Sequence, residues 1–501
     1  MGLKHHSSRP TYVSSSPRHN RIPMKFSKFI TWAAIFFTSL FLFLSPLTQF
    51  HSRSSSFSSL PSAAKPFSGD LRDANFPWNK LCFGPTTTSD KLKLAVFSKT
   101  WPIGANPGGM ERHAATLYRA LADKGHEIHV FTVPSDRRPH PEIHDNNLHV
   151  YFAANDHGSV NCSLAFEIFH KINAAARPFD YVHTESVSLP HWRAKAVPNT
   201  AVTWHGIWYE IMHSKLFEEL FENPRGELGA GATPAAAELA VAMPKLLDEI
   251  RFFRSYKQHI CISNSAGEVL VKIYQLPQRN VHVILNGVDD SKFAYNPDAG
   301  EEFREKYGIP GNATLVMGVA GRLVRDKGHP ILHEAMSSLI SRYPGICLVV
   351  AGSGPWGRRY AELGPNVKVL GALEPSQLSQ FYNAIDVFVN PTMRPQGLDL
   401  TLIEAMHCGK PVVTPNYPSI TGTVVVDDRF GYTFSPNVKS LVEALEVVIG
   451  DGVRVLQRKG MACRDYAGSM FTAGKMAAAY ERFFLCMKNS RYCQYPLPTD
   501  C

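Results

Sequence analysis

A chain of 501 residues, 44% of them hydrophobic, is too long for one small core and too apolar for broad disorder, so two domains of ordinary size are expected. The formal charge of +9 does not point to nucleic acid, because Lys4, Arg9, Arg18, Arg21, Lys25 and Lys28 sit in an acid-free stretch over 1–28 and the remainder is nearly balanced. No basic stripe interleaved with aromatics and no zinc-finger spacing follows. The nine cysteines form no Cys-x-x-Cys pair and are too sparse for a disulfide scaffold. Cys261 and Cys347, in apolar runs, read as small buried hydrophobes. Cys486, Cys493 and Cys501 are candidates for pairing, with connectivity left open.

In chain order, 1–28 reads as a cytosolic basic tail and 29–47 as a transmembrane signal anchor. The run FITWAAIFFTSLFLFL carries no charge and, with the residues after it, approaches the ~20 needed to cross a bilayer. A cleaved signal peptide is the rival reading, against which stands the long polar head. The positive charges before the run place the rest of the chain in the lumen. Residues 48–90, with SRSSSFSSLPSAAKP, read as a flexible Ser-rich stem unable to form a core. Asn161-Cys162-Ser163 and Asn312-Ala313-Thr314 are glycan acceptor sequences that fit a lumenal body.

Residues 91–287 open with a strand at 92–97, a Gly-rich loop, a helix at 112–124 and a strand at 127–132, the start of a doubly wound sheet. Further strands fit 147–151, 180–183 and 200–203, and helices fit 162–176 and 233–255. Residues 288–313 read as a polar linker. Over 314–466 strands are expected at 313–320, 346–351, 366–370, 385–390 and 411–414, alternating with helices at 330–341, 375–383 and from 400. Such alternation needs a parallel sheet covered on both faces. Residues 467–501 contain a final helix, about 467–487, expected to cross back onto the first lobe. The expected fold is therefore α/β, two Rossmann-like doubly wound lobes after one transmembrane helix and a stem.

In open α/β sheets ligands bind beyond the carboxyl ends of the strands. Gly108 and Gly109 precede a helix, where a phosphate can approach free amides, although a tight turn also explains two glycines. Arg322 and Lys327 in GRLVRDKG can clamp a diphosphate and stabilise its charge, or be a solvated pair. Gly352-Ser353-Gly354-Pro355 is a third loop, or only a turn. The densest cluster is NPTMRPQGLDLTLIEAMHCGKPVVTP, in which Gln396, Gly397, Leu398 and Asp399 lead into a helix carrying Glu404. A carboxylate low in that helix can hold ribose hydroxyls. His205, in TWHG, ends an apolar strand, where a satisfied structural histidine is the bland alternative. Asp289-Asp290 and Asp427-Asp428 are adjacent pairs that point apart, so no metal is expected.

Together these motifs resemble GT-B glycosyltransferases of family 4 from about 92 to 480. GGMERH resembles the family's Gly-Gly-x-Glu donor loop, TWHG its Thr-x-His-Gly, VHVILNGVDDSKF its interlobe signature, and GRLVRDKG its phosphate-binding Gly-Arg-Leu…Lys-Gly. DVFVNPT and LIEAMHCGKPVV resemble the end of its donor site. The resemblance implies retaining transfer from a nucleotide sugar, UDP by default, without a metal or other cofactor. It also implies donor contacts at Gly108, Gly109, Arg322, Lys327, Gly354, Gln396, Gly397, Leu398, Asp399 and Glu404, and catalytic roles for His205, Arg322, Lys327 and Gln396. The tail, span and stem resemble Golgi type II glycosyltransferases, implying a Golgi or endoplasmic reticulum membrane location. Two departures stand out: Gln396 replaces the first acid of the family's Glu-x7-Glu, and Asp399 replaces its usual glycine. They leave open an inactive glycan-binding or scaffold protein.

Overall fold

A computed structural model describes residues 67–501 except 85–87, 105–106, 176 and 223–233. The first lobe is an eight-stranded sheet of β1 (Lys93–Phe97), β2 (Glu127–Thr132), β3 (Ile143–Asp145), β4 (Leu148–Phe152), β5 (Tyr181–Glu185), β6 (Thr200–Trp204), β7 (Gln258–Cys261) and β8 (Val281–Val283). Its order is β3-β4-β2-β1-β5-β6-β7-β8, parallel except for β3 at one edge. Strands β1, β5 and β6 are buried along their whole length, as a parallel sheet covered by helices requires.

The second lobe is a six-stranded parallel sheet of β9 (Leu315–Ala320), β10 (Ile346–Ala351), β11 (Val367–Gly371), β12 (Val387–Val389), β13 (Val412–Pro415) and β14 (Gly431–Phe434), in the order β11-β10-β9-β12-β13-β14. The helices used below are α1 (Gly109–Asp123), α2 (Trp208–Glu222), α3 (Pro234–Phe253), α4 (His329–Arg342), α5 (Leu400–His407), α6 (Val438–Met470) and α7 (Ala473–Lys488).

The chain crosses between lobes twice, side by side. The Val288 amide donates to Phe471 O at 2.9 Å and the Ala473 amide to Val288 O at 2.8 Å. After this crossing α7 packs on the first lobe, where Met476, Tyr480, Phe483 and Phe484 share a core with Leu94, Tyr118 and Trp78. The stretch expected as one helix over 467–487 is broken at Phe471 and Thr472, whose hydroxyl caps α7 by accepting from the Lys475 amide at 3.0 Å.

Three expectations change. The signal anchor over 29–47 and the basic tail lie outside the described residues, and among the described residues no helix is long and apolar enough to cross a membrane. The longest, α6, is crossed by Lys439, Glu443, Glu446, Asp451, Arg454 and Arg458 and lies against its own lobe. The membrane-anchored type II arrangement, the membrane as partner and the Golgi or endoplasmic reticulum location are corrected accordingly, leaving two α/β lobes. The stem expected over 48–90 is not unstructured in its second half. Leu71 and Trp78 are fully buried, Gly69–Asp70 pairs with Gln494–Tyr495, and Cys82 is bonded to Cys501. Cys486 pairs with Cys493. Finally, the linker over 288–313 contains the helix Pro297–Lys306, capped by Asn296, with Gly300 pressed against the backbone of Asn383.

Candidate active site

The first-lobe wall of the interlobe cleft is built at the carboxyl ends of β1, β5 and β6. His205 follows β6 directly, and Glu185, fully buried, is the last residue of β5. The His205 Nε2 donates to Glu185 Oε2 at 2.5 Å, and Tyr118, from α1, donates to Oε1 of the same carboxylate. Behind it, His183 Nδ1 lies 2.8 Å from the Tyr118 hydroxyl and its Nε2 2.9 Å from Thr203 Oγ1, which is 2.8 Å from the Tyr480 hydroxyl of α7. Burial pushes the Glu185 carboxyl up, but the His205 hydrogen bond and the surrounding imidazoles outweigh it and hold it down to about 2. Burial drives His113 down to about 3 and His183 to about 4, so both rings are neutral. Among the described residues, His113, Glu185 and His205 form a group whose ligand atoms lie within 4.8 Å of one another, close enough to hold a metal ion.

The second-lobe wall is charged. Gly328, at φ +77, is the residue just before α4, and a Cβ there would meet Pro391 O at 1.7 Å, so only glycine lets this turn close on the loop after β12. That closure brings Lys327 onto Asp399, whose Oδ1 accepts from its ammonium while Oδ2 accepts from Asn390 at 3.2 Å. Burial works against the Asp399 charge, but Lys327, Asn390 and Arg394 outweigh it and hold the carboxyl below its ordinary value. Asp399 precedes α5 yet does not cap it with its side chain, because Lys327 is the stronger partner. Arg394 is bound to Asp326 at 2.7 Å. Glu404, buried in α5, accepts from Arg112 of α1 through Oε1 and from the Tyr382 hydroxyl at 2.9 Å through Oε2, so both oxygens are occupied.

The two walls enclose a cavity of about 610 Å³. Gly108, Gly109 and His205 line it from one side, Arg322, Lys327, Leu398 and Asp399 from the other. An adjoining cavity of about 950 Å³ is lined by Arg112, Gly287 and Glu404. Gly354, Gln396 and Gly397 are not among the wall residues of either. Gly354 lies under the loop, where a Cβ would be 2.5 Å from Leu323 O. Gln396 donates from Nε2 to His213 Nδ1 at 3.0 Å, and its Oε1 is buried without a partner.

Sequence reasoning missed Glu185, Tyr118, Arg112 and Glu210. Glu210, in the first turn of α2, is buried, and its Oε1 would lie 2.7 Å from a Cβ on Gly397. Burial pushes its carboxyl up to about 7, although Arg394 and Lys327 favour the charge. The one signal for Glu185 was an acid at the end of an apolar strand; Arg112 meets Glu404 only in space, 292 positions away, and Glu210 is buried by the fold alone.

The two lobes set polar clusters facing each other across the strand ends, and comparison with known proteins gives the class of enzyme. Residues 107–292 match the model described as Glycosyltransferase Family 4, and residues 314–451 that described as Glycosyl transferases group 1. The chain is 25% identical over 352 residues to one component of the human (Homo sapiens) phosphatidylinositol N-acetylglucosaminyltransferase, across 69% of this chain and 66% of that protein, just under two thirds of its length. It is 25% identical over 374 residues to an uncharacterized glycosyltransferase of Methanocaldococcus jannaschii, across 72% of this chain and 90% of the relative. A sucrose-phosphate synthase from Thermosynechococcus elongatus has the same fold, with a TM-score of 0.62 at 19% identity over 79% of this chain and 99% of that one. The protein is a glycosyltransferase of two-lobed, GT-B-like fold that moves a sugar from a nucleotide-sugar donor.

Proposed function

We propose that the cleft binds a UDP-sugar and transfers the sugar, with retention of configuration, to a glycan, lipid or protein acceptor. The observation that carries this reading is the meeting of His205 from one lobe with Arg322 and Lys327 from the other in a single cavity. In this reading the diphosphate lies against Arg322 and Lys327, near the glycine loops at Gly108–Gly109 and Gly352–Ser353, and His205 faces the sugar. The protein contributes position and electrostatic stabilisation of the leaving diphosphate rather than a covalent nucleophile. Glu404 holds the ribose once Arg112 has moved off it, and the diphosphate replaces Asp399 on Lys327. Gln396 acts from behind the Gly397 turn, through His213, rather than by touching the sugar. The activity for which the human relative is named, transfer of N-acetylglucosamine to phosphatidylinositol, makes that pairing the first donor and acceptor to try. Incubating the full-length protein with UDP-sugars and phosphatidylinositol as acceptor, and reading the anomeric configuration of the glycoside formed by NMR, tests the proposal. A product with the donor's anomeric configuration is expected; the opposite anomer would rule out retention, and turnover with GDP-sugars alone would rule out UDP.

A further inference from the structure

The hydrogen bonds behind His205 have a direction that can be worked out atom by atom. Glu185 is a carboxylate, so it only accepts. Its Oε2 therefore takes the proton of His205 Nε2, and its Oε1 takes the hydroxyl proton of Tyr118. With that proton committed, the Tyr118 oxygen accepts from His183 Nδ1–H. A neutral His183 then has a bare Nε2, which accepts from Thr203, and the Thr203 oxygen accepts from Tyr480. Every member of the chain has one consistent role, and both branches end on Glu185. Only one arrangement of protons satisfies them all.

We propose that Glu185 is the positioning residue for His205: it keeps the proton on Nε2 and leaves Nδ1 as the ring's only variable nitrogen, available to accept a hydrogen bond or exchange a proton in the cavity. The inference rests on the reading of His205 as facing the donor sugar. Its physical basis does not, because Glu185 is fully buried, lines neither cavity of the cleft and acts through its partners. The other titratable groups around the pair are Tyr118, already committed to Glu185, His113, whose ring meets His205 edge-on at 4.6 Å, and His183 behind Tyr118. None offers His205 a competing hydrogen bond among the described residues. Without Glu185 the ring loses its anchor and nothing distinguishes its two neutral forms.

Two measurements on the full-length protein test this. Nitrogen-15 NMR of labelled histidines, with His205 assigned by difference against His205→Gln, reads the tautomer of the neutral ring and needs no substrate. Protonated Nε2 with bare Nδ1 is expected, and the other form should become visible in Glu185→Ala; a wild-type ring protonated on Nδ1 overturns the proposal. In turnover of the UDP-sugar that the protein accepts, Glu185→Ala should lower kcat by about 100-fold with donor KM within about threefold, and Glu185→Gln should lose less. The double variant Glu185→Ala/His205→Ala should be no slower than His205→Ala alone; multiplying losses would show that Glu185 acts independently and overturn the proposal. If no nucleotide sugar is turned over, the donor assignment fails while the NMR result still decides the role of Glu185.

Discussion

The two walls of the cleft solve the problem of buried polar groups in opposite ways. Behind His205 the first lobe uses imidazoles, hydroxyls and one carboxylate joined in a chain of hydrogen bonds. The second lobe presents ion pairs at the cavity itself, Lys327 with Asp399 and Arg394 with Asp326, while Arg112 reaches across to Glu404. Groups whose hydrogen bonds are all made within one network hold one geometry. Ion pairs at a cavity edge can exchange partners when a stronger anion arrives, since a charge-assisted bond to phosphate replaces one to carboxylate. Under the proposed donor mode, the contrast means that the first lobe is set before the donor arrives and the second is reset by it.

The comparison breaks most severely at His205. His205→Ala should lower transfer by roughly 100- to 1,000-fold while nucleotide affinity, set by the other wall, stays within about twofold. A matching loss of nucleotide binding would show that the two walls do not divide the work.

A change in stability should come next. The Glu210 carboxyl is raised to about 7 in the fold, from about 4.5 in the unfolded chain, so the folded protein holds its proton more tightly. Its share of stability is complete below pH about 4.5 and is lost as the pH rises through about 7. Glu210→Gln removes that loss. The variant should be more stable than wild type at pH 8, by on the order of 3 kcal/mol, with the difference shrinking towards pH 5. Denaturant melts at both pH values provide the check. A gap that widened on acidification would contradict the assigned environment.

A smaller effect is expected at Asp399. Asp399→Asn leaves Lys327 without its carboxylate, so UDP should bind about tenfold more tightly, about 1.4 kcal/mol. Unchanged or weaker binding would mean that Lys327 does not meet the diphosphate.

The elements that the sequence makes plain are those with a single periodicity. Residues 346–351, expected as a strand, are Ile346–Ala351 in the structure, and the helix expected over 375–383 is Pro375–Ala384. Helix α2 was not expected, because its polar face meets the other lobe and its pattern is weak without that partner. The folded segment from 67 to 84 was missed for a similar reason. Leu71, Trp78 and Leu81 are too few for a pattern, and they are buried only because α7 returns to cover them. In the site, residues next to glycines and strand ends were legible as candidates. Their partners were not, since Arg112 and Glu404 are 292 positions apart and Lys327 and Asp399 are 72 apart.

The most direct measurement is calorimetric titration of the full-length protein with UDP and GDP, wild type beside Lys327→Ala. One nucleotide should bind the wild type, with the variant weakened about tenfold or more. Failure of both to bind, or binding that ignores the loss of Lys327, would contradict a donor diphosphate held on the second-lobe wall.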